Sequence, residues 1–347
     1  MSTITTARPS THLNEQTLRE MFWVMLLSRR LDERSWALHR QGKIAFHISG
    51  MGHEAAQVGS AFALNRGVDY THPYYRDLAL SLAMGLTPTD FMLSLFGKAG
   101  EPSSGARQMP SHFGSKRLNI VSGSAPVATQ VPQAAGLAFA IKYKQTTGLV
   151  DPNDATQPRV ALTSLGEGAT SQGEWHEGMN WAGVHKLPFI CLVQNNIYAI
   201  SVPIESQMAV ANVADRATAY GVTGVVVDGN DLLAVYDVMV EAVERAYAGE
   251  GATLVEAKTY RPVPHSSDDD DRSYRSRAEV EEWKQKDPIN RFRDYLIAET
   301  ILSPAQLDDY EHRARAEVDQ AQAAAEATPD PAPEAALGDI YAPSEAV

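Results

Sequence analysis

The stretch from Leu165 to Ser201, LGEGATSQGEWHEGMNWAGVHKLPFICLVQNNIYAIS, limits the possible folds more than any other part of the chain. An apolar run from Val160 to Leu165 leads into Gly166-Glu167-Gly168; a helix-like segment follows; a second apolar run, Phe189 to Val193, leads into Asn195-Asn196. Read in order, this is strand, turn, helix, strand, turn. In a parallel sheet a right-handed crossover puts both turns at the same carboxyl edge. One turn brings a carboxylate and glycine backbone, the other a side-chain amide. Mg²⁺ takes a few hard oxygens of this kind together with phosphate oxygens of a ligand, so the stretch is expected to hold a diphosphate through a metal.

At 347 residues and 44% hydrophobic content, the chain has material for one α/β domain with helical extensions. Its formal charge of −13 argues against nucleic acid or a membrane surface as partner, since both are themselves anionic. The single cysteine, Cys191, lies inside the apolar run FICLV and reads as a buried, inert thiol. The N-terminal residues lack the apolar core of a signal peptide, and no run approaches membrane-spanning length. A cytoplasmic protein is expected.

The flanking chain fills in the architecture. Residues before Leu18 are polar and expected to be loosely attached, and Leu18 to Lys43 has the spacing of one long amphipathic helix. Gly50-Met51-Gly52-His53-Glu54 reads as a loop and solvated N-terminus opening a helix from Ala55 to Leu64. Tyr70 to Arg76, YTHPYYR, is an aromatic loop whose lone Arg76 could face an anion. Thr87-Pro88 signals a helix that stops at Gly97; Glu101 to Gly114 is a long loop; an Ala- and Gly-rich helix runs from Pro132 to Tyr143. Beyond the central stretch come a strand to Asp228, an Asp231-capped helix from Leu232 to Ala248, and a strand from Leu254 to Thr259. Alternation of this kind favours a doubly wound, mostly parallel sheet. Tyr260 to Arg275, YRPVPHSSDDDDRSYR, is expected to be solvated and mobile, or else to order over a ligand through Arg–Asp pairs. Ser276 to Glu279 matches a capping box. The expected organisation is a helical extension over 1–45, an α/β diphosphate-binding domain over 46–275, a helical region over 276–327 and a disordered tail over 328–347.

A dinucleotide fingerprint needs a glycine at position 171, which is Ser, and the Gly-Lys pairs are followed by Ile44 and Ala99 rather than the Ser or Thr of a phosphate-binding P-loop. A Gly-acid-Gly turn with Asn-Asn after the next strand is the arrangement of thiamine diphosphate enzymes. Over about Leu26 to Arg293 the chain resembles the alpha subunits of the first, decarboxylating component of 2-oxo acid dehydrogenase complexes. The resemblance is carried by SRRLDER, YYR, ARQMPSHFG, APVATQVPQA, GEGATSQGE, NNIYAIS and HSSDDDD.

The resemblance implies a site, residue by residue. Glu167 and Asn196 would give side-chain oxygens to Mg²⁺, and Tyr198 its backbone carbonyl. Gly166 belongs to the same turn, and Gly168 and Ala169 would offer N–H groups at a helix N-terminus to the phosphates. Tyr75 and Arg76 match the pair that binds the diphosphate, and His265 matches a histidine reaching it from the loop, the one catalytic candidate in this chain. Val127, Ala199 and Ile200 would border the cofactor's rings. Ser124, Pro126, Thr129 and Gln130 resemble a monovalent-cation (K⁺) site; a Ser/Thr-capped helix start is the alternative.

Some positions depart from the pattern. Gln194 stands where some branched-chain relatives have Arg, so a phosphate contact would be weaker or remade; Ala125 and Asp268 each replace a Ser. Ser266 falls where animal relatives are phosphorylated, and a structural role in the loop is expected here. The implied activity is decarboxylation of a 2-oxo acid and transfer of its acyl group to a lipoyl arm of an acyltransferase core. The chain would act with a beta subunit in an alpha2-beta2 heterotetramer, because the family's activating glutamate lies on that subunit. Glu in Gly-acid-Gly and the run NNxYAIS look more like branched-chain members, with 3-methyl-2-oxobutanoate as substrate, than pyruvate or acetoin members. From another class, the chain could be a non-catalytic scaffold that retains the fold.

Overall fold

The computed structural model describes residues 8–149 and 157–338. Its centre is a parallel sheet built from β1 (Tyr70–His72), β2 (Ala161–Gly166), β3 (Phe189–Asn195), β6 (Thr223–Asp228) and β7 (Thr253–Lys258) in the order β1-β2-β3-β7-β6. Between β3 and β6, β4 (Tyr198–Ala199) and β5 (Val202–Pro203) form a small antiparallel hairpin. Around these pack α1 (Glu15–Arg40), α2 (Glu54–Ala63), α3 (Leu78–Ala83), α4 (Pro88–Phe96), α5 (Gln130–Thr147), α6 (Gly173–Val184), α7 (Ala217–Tyr220), α8 (Leu232–Tyr247), α9 (Arg277–Lys284), α10 (Pro288–Ala298) and α11 (Pro304–Ala327).

The doubly wound form follows from strands that are apolar on both faces. Every residue of β3 is buried. Its side chains alternate: Ile190 and Leu192 join the core under α1, α2 and α8, whereas Phe189, Cys191 and Val193 join the core under α5 and α6. Each such large side chain contributes roughly 1.5–3 kcal/mol by leaving water. Small residues bring α5 and α6 together. A Cβ on Gly178 would stand 2.8 Å from Val131, and Ala134, Ala135 and Ala138 are fully buried.

Capping fixes several boundaries where the sequence places them. Thr87 and Asp90 form a reciprocal capping box before α4, which ends at Gly97 with φ of 63°. Asp231 accepts from Ala234 N–H at 3.1 Å. At the chain's start the expectation fails: α1 begins at Glu15, behind an Asn14 cap, and Ser10 bonds Asp237 on α8 through both N–H and hydroxyl. Only residues 1–7 of that segment lie outside the described residues. The Ser276 hydroxyl caps α9, but no box closes, because the Glu279 carboxylate accepts instead from the Tyr198 and Tyr260 hydroxyls at 3.1 and 2.8 Å. Part of the expected tail is docked as well. Ala99 N–H donates to the Pro329 carbonyl and Lys98 pairs with Asp330 at 2.8 Å; residues 339–347 lie outside the described residues. No helix among the described residues is long and apolar enough to cross a membrane.

Candidate active site

Parallel strands deliver their carboxyl ends to one edge, and there the segments after β1, β2, β3 and β7 enclose a pocket of about 440 Å³. Tyr75, Arg76, Val127, Gly166, Glu167, Gly168, Ala169, Asn196, Tyr198, Ala199, Ile200 and His265 all line it, with Ser124 and Gln130. Pro126 and Thr129 are not on its wall, although Thr129 Oγ1 donates to the Pro126 carbonyl at 3.0 Å and bonds Ser124 Oγ. Those oxygens converge at the pocket's exposed rim. Gln130 turns inward, its amide N–H donating to the Ser164 carbonyl.

The metal candidates are built from two turns. Glu167 is 1% exposed; its Oε2 accepts the Asn196 N–H at 3.0 Å, and its Oε1 has no partner. A buried carboxylate oxygen left bare is costly unless something binds it. Burial raises the Glu167 pKa, and the Asn196 N–H, Arg261 and Arg76 pull it the other way. Among the described residues no three His, Cys, Asp or Glu gather as a metal cluster, which suits an ion completed by ligand oxygens rather than a protein cage. Gly168 packs too closely for a side chain, since a Cβ there would stand 2.7 Å from that of Ala199. Gly168 and Ala169 start a short 3-10 stretch, Glu167–Ser171, rather than the α-helix, which begins at Gly173.

Opposite the carboxylate sit guanidinium groups. Arg76 is 2% exposed and Arg261 1%, and among the described residues neither is ion-paired. Arg76 donates to the Ser49 carbonyl while its Nε lacks a partner; Arg261 donates to the carbonyls of Val263 and Ile200. His265 Nδ1 lies 3.4 Å from Arg76 and 3.3 Å from Arg261. Burial, then those two cations, push its pKa down to about 3. The imidazole is therefore neutral, with Nδ1 accepting and the proton on Nε2.

Sequence reasoning misplaced several groups. His53 and Glu54 are not solvated; both are buried, and Glu54 pairs with Arg29 at 2.6 Å. Gln194, read as a phosphate contact that would be weaker or remade, is buried off the pocket wall, donating to Asp77 at 2.5 Å. Of the two forms expected for Tyr260 to Arg275 the structure has the ordered one, held by an Arg275–Asp271 pair, with Ser266 buried and Arg261 and His265 on the pocket wall. Phe46, Ile48, Met109, His112 and Arg261 were missed as lining residues. Arg261 alone carried a signal, as an arginine directly after a β-strand's polar end. Cys191 is buried, its thiol pushed up to about 12.

Comparison with known proteins places this pocket in a family. A family model described as the dehydrogenase E1 component matches residues 23–334. The chain is 50% identical over 330 residues to a 2-oxoisovalerate dehydrogenase subunit alpha of Bacillus subtilis, covering 95% of this chain and 97% of that one. It is 40% identical over 291 residues to a 3-methyl-2-oxobutanoate dehydrogenase subunit alpha of Mycobacterium tuberculosis (84% and 73%). A pyruvate dehydrogenase E1 component subunit alpha of Staphylococcus aureus is 38% identical over 307 residues (88% and 77%).

Proposed function

The chain belongs to the dehydrogenase E1 component family, and on that premise we propose that it is the alpha subunit of a thiamine diphosphate-dependent branched-chain 2-oxo acid dehydrogenase. Its substrate would be 3-methyl-2-oxobutanoate (2-oxoisovalerate) and its acceptor the lipoyl groups of an acyltransferase core. The observation that carries the reading is the pair of buried guanidiniums, Arg76 and Arg261, facing one pocket whose lining holds a single carboxylate, Glu167, with which neither forms an ion pair. Two cations against one carboxylate leave a net positive charge in a desolvated site, which is expensive. A diphosphate would supply the missing charge and accept their forked donors.

The other residues fit the same group. Mg²⁺ would be held by the free Glu167 oxygen, the Asn196 side-chain oxygen and the Tyr198 carbonyl. When bound, thiamine diphosphate supplies a thiazolium carbon that attacks the substrate ketone and an electron sink for loss of carbon dioxide. This chain's residues bind and orient. His265, neutral and accepting from both arginines through Nδ1, would keep an Nε2–H donor in the pocket for a phosphate or the acyl oxygen. Ser124, Pro126 and Thr129 would take K⁺ at the rim, with Gln130, turned inward, contributing no side-chain oxygen there. Phe46, Ile48, Met109 and Val127 give an apolar wall suited to a branched side chain. The beta subunit would complete the site in an alpha2-beta2 assembly, in the cytoplasm.

The test is steady-state kinetics of the chain reconstituted with its beta subunit, with and without thiamine diphosphate and Mg²⁺. Activity should require both, and kcat/KM should favour 3-methyl-2-oxobutanoate over pyruvate by about tenfold or more, since each methylene in an apolar pocket is worth roughly 1–3 kcal/mol. Preference for pyruvate would move the chain beside its Staphylococcus relative. Failure of the assembly to bind thiamine diphosphate at all would point to a scaffold.

A further inference from the structure

His53 is wholly buried at the start of α2, and the cofactor reading gives it no role. Its backbone is wedged into place. Gly52 has φ of 86°, and a Cβ there would stand 2.0 Å from the Tyr260 carbonyl oxygen; a Cβ on Gly50 would stand 2.8 Å from that of Arg76. Only glycines let this loop pass between the two segments that carry the buried arginines.

Two contacts then define the ring. Nδ1 lies 3.1 Å from the Met51 carbonyl oxygen, which can only accept, so Nδ1 bears the proton. The lone pair of the neutral ring is left on Nε2, which lies 3.3 Å from Asn196 Nδ2. An acceptor there requires the NH₂ end of the Asn196 amide. The oxygen end is thereby turned the other way, where Tyr198 N–H approaches Asn196 Oδ1 at 3.4 Å. Asn196 N–H is meanwhile bonded to Glu167 Oε2, leaving Oε1 bare.

From this geometry we propose that His53 is a positioning residue for the metal site. It is not on the pocket wall itself. By accepting from Nδ2 it selects one of the two orientations of the Asn196 amide, the one that offers oxygen rather than NH₂ on the Tyr198 side. An amide free to flip would present donors to a cation for part of the time and bind it less well. This inference rests on the reading of the pocket as a metal–diphosphate site.

The experiment measures thiamine diphosphate binding to the assembled alpha–beta protein by titration calorimetry while Mg²⁺ is raised from zero. His53→Met keeps an unbranched side chain without a good acceptor, and His53→Gln keeps an acceptor oxygen. Loss of an outer partner of a metal ligand costs about 10–100-fold in metal affinity, so His53→Met should raise the half-saturating Mg²⁺ by about tenfold or more and His53→Gln should restore most of it. Asn196→Asp removes the need for orientation, because both carboxylate oxygens can bind. On that background His53→Met should add no further rise. Equal Mg²⁺ requirements in the Met and Gln variants, or the full effect persisting beside Asn196→Asp, would overturn the proposal. A measurement free of any folding defect is the ¹⁵N spectrum of the wild-type protein labelled at histidine: His53 should be the Nδ1–H tautomer, and a protonated Nε2 would overturn the proposal as well. Wild-type binding of thiamine diphosphate that needs no Mg²⁺ would instead sink the metal-site reading beneath it.

Discussion

Asp77 sets a pH dependence under the site. It is wholly buried, and its carboxyl accepts from Gln194 Nε2 at 2.5 Å, from Tyr74 N–H at 3.0 Å and from Ser164 Oγ. Burial outweighs those donors and raises its pKa from 3.8 to about 6. A folded pKa above the unfolded one means that the protonated form favours folding. The contribution is full below about pH 4 and is lost as pH rises through about 6, and two units correspond to about 3 kcal/mol. The ¹³C carboxyl resonance of Asp77 should therefore titrate near pH 6; a midpoint under 5 would show that the donors win. None of this was legible in the sequence. Asp77 meets Gln194 only because β1 and β3 flank β2, with Gly166 opposite Gln194 in register. The same holds at Ile197 and Ile200, which have φ of 66° and 56°. Left-handed backbone costs a β-branched residue about 1–2 kcal/mol and is usually announced by glycine. Here no glycine marks the turn that carries Asn196 and Tyr198.

At the scale of elements, the segment from Tyr260 to Arg275 behaves as a folded strap rather than a solvated run. Arg275 is its clasp. Its guanidinium reaches Asp271 at 2.9 Å through Nε, the Val263 carbonyl at 2.7 Å and the Arg261 carbonyl, while lying 5.3 Å over the Tyr260 ring. The strap is also stitched to the segment after α1, where Ser267 N–H donates to the His47 carbonyl at 2.9 Å and His47 N–H donates to the Ser267 hydroxyl at 3.1 Å. Removing one partner from such a buried network costs about 3–5 kcal/mol. Arg275→Ala should leave the sheet intact and loosen the strap, seen as faster amide exchange over 261–275. Cofactor affinity should fall about tenfold or more with it, because Arg261 and His265 lose their anchor. Unchanged exchange in those residues would rule out the clasp. Charge patterning left a solvated run and an ordered one both open, because adjacent Asp and Arg residues look alike whether they face water or each other. The core elements were easier to read, since β2 and β3 are short unbroken apolar runs and α4 and α8 combine helical spacing with N-terminal caps.

The whole molecule presents one surface that a lone chain does not explain. On α5 and α6, Phe139, Tyr143, Trp181 and Val184 are 38%, 52%, 45% and 68% exposed, although most other large apolar groups are buried. They form a contiguous patch: Phe139 stacks on Tyr143 at 6.5 Å and meets Trp181 at 5.7 Å, and Trp181 meets His185 at 4.0 Å. Patches of exposed aromatics mark protein interfaces. Its position matters for chemistry. α6 begins at Gly173, directly after the Glu167–Ser171 stretch on the pocket wall, and carries Trp181 and Val184 at its other end, about 12–17 Å along the helix, so a subunit seated on this patch would reach the pocket only by extending along α6. Sequence reading marked an Ala- and Gly-rich helix at Pro132 to Tyr143 and a helix-like segment after Gly168 but assigned their aromatics no outward face, because an Ala-rich helix packs well on more than one side. Replacing both Trp181 and Val184 with Glu puts charge where the partner would exclude water. Hot-spot losses of about 2 kcal/mol each amount to roughly thirtyfold weaker association per residue. Sedimentation should then find the variant as smaller species beside unassembled beta subunit, with the chain's own thermal transition unchanged and activity lost in proportion to assembly. A variant that still sediments as the full assembly would show that another face carries the beta subunit.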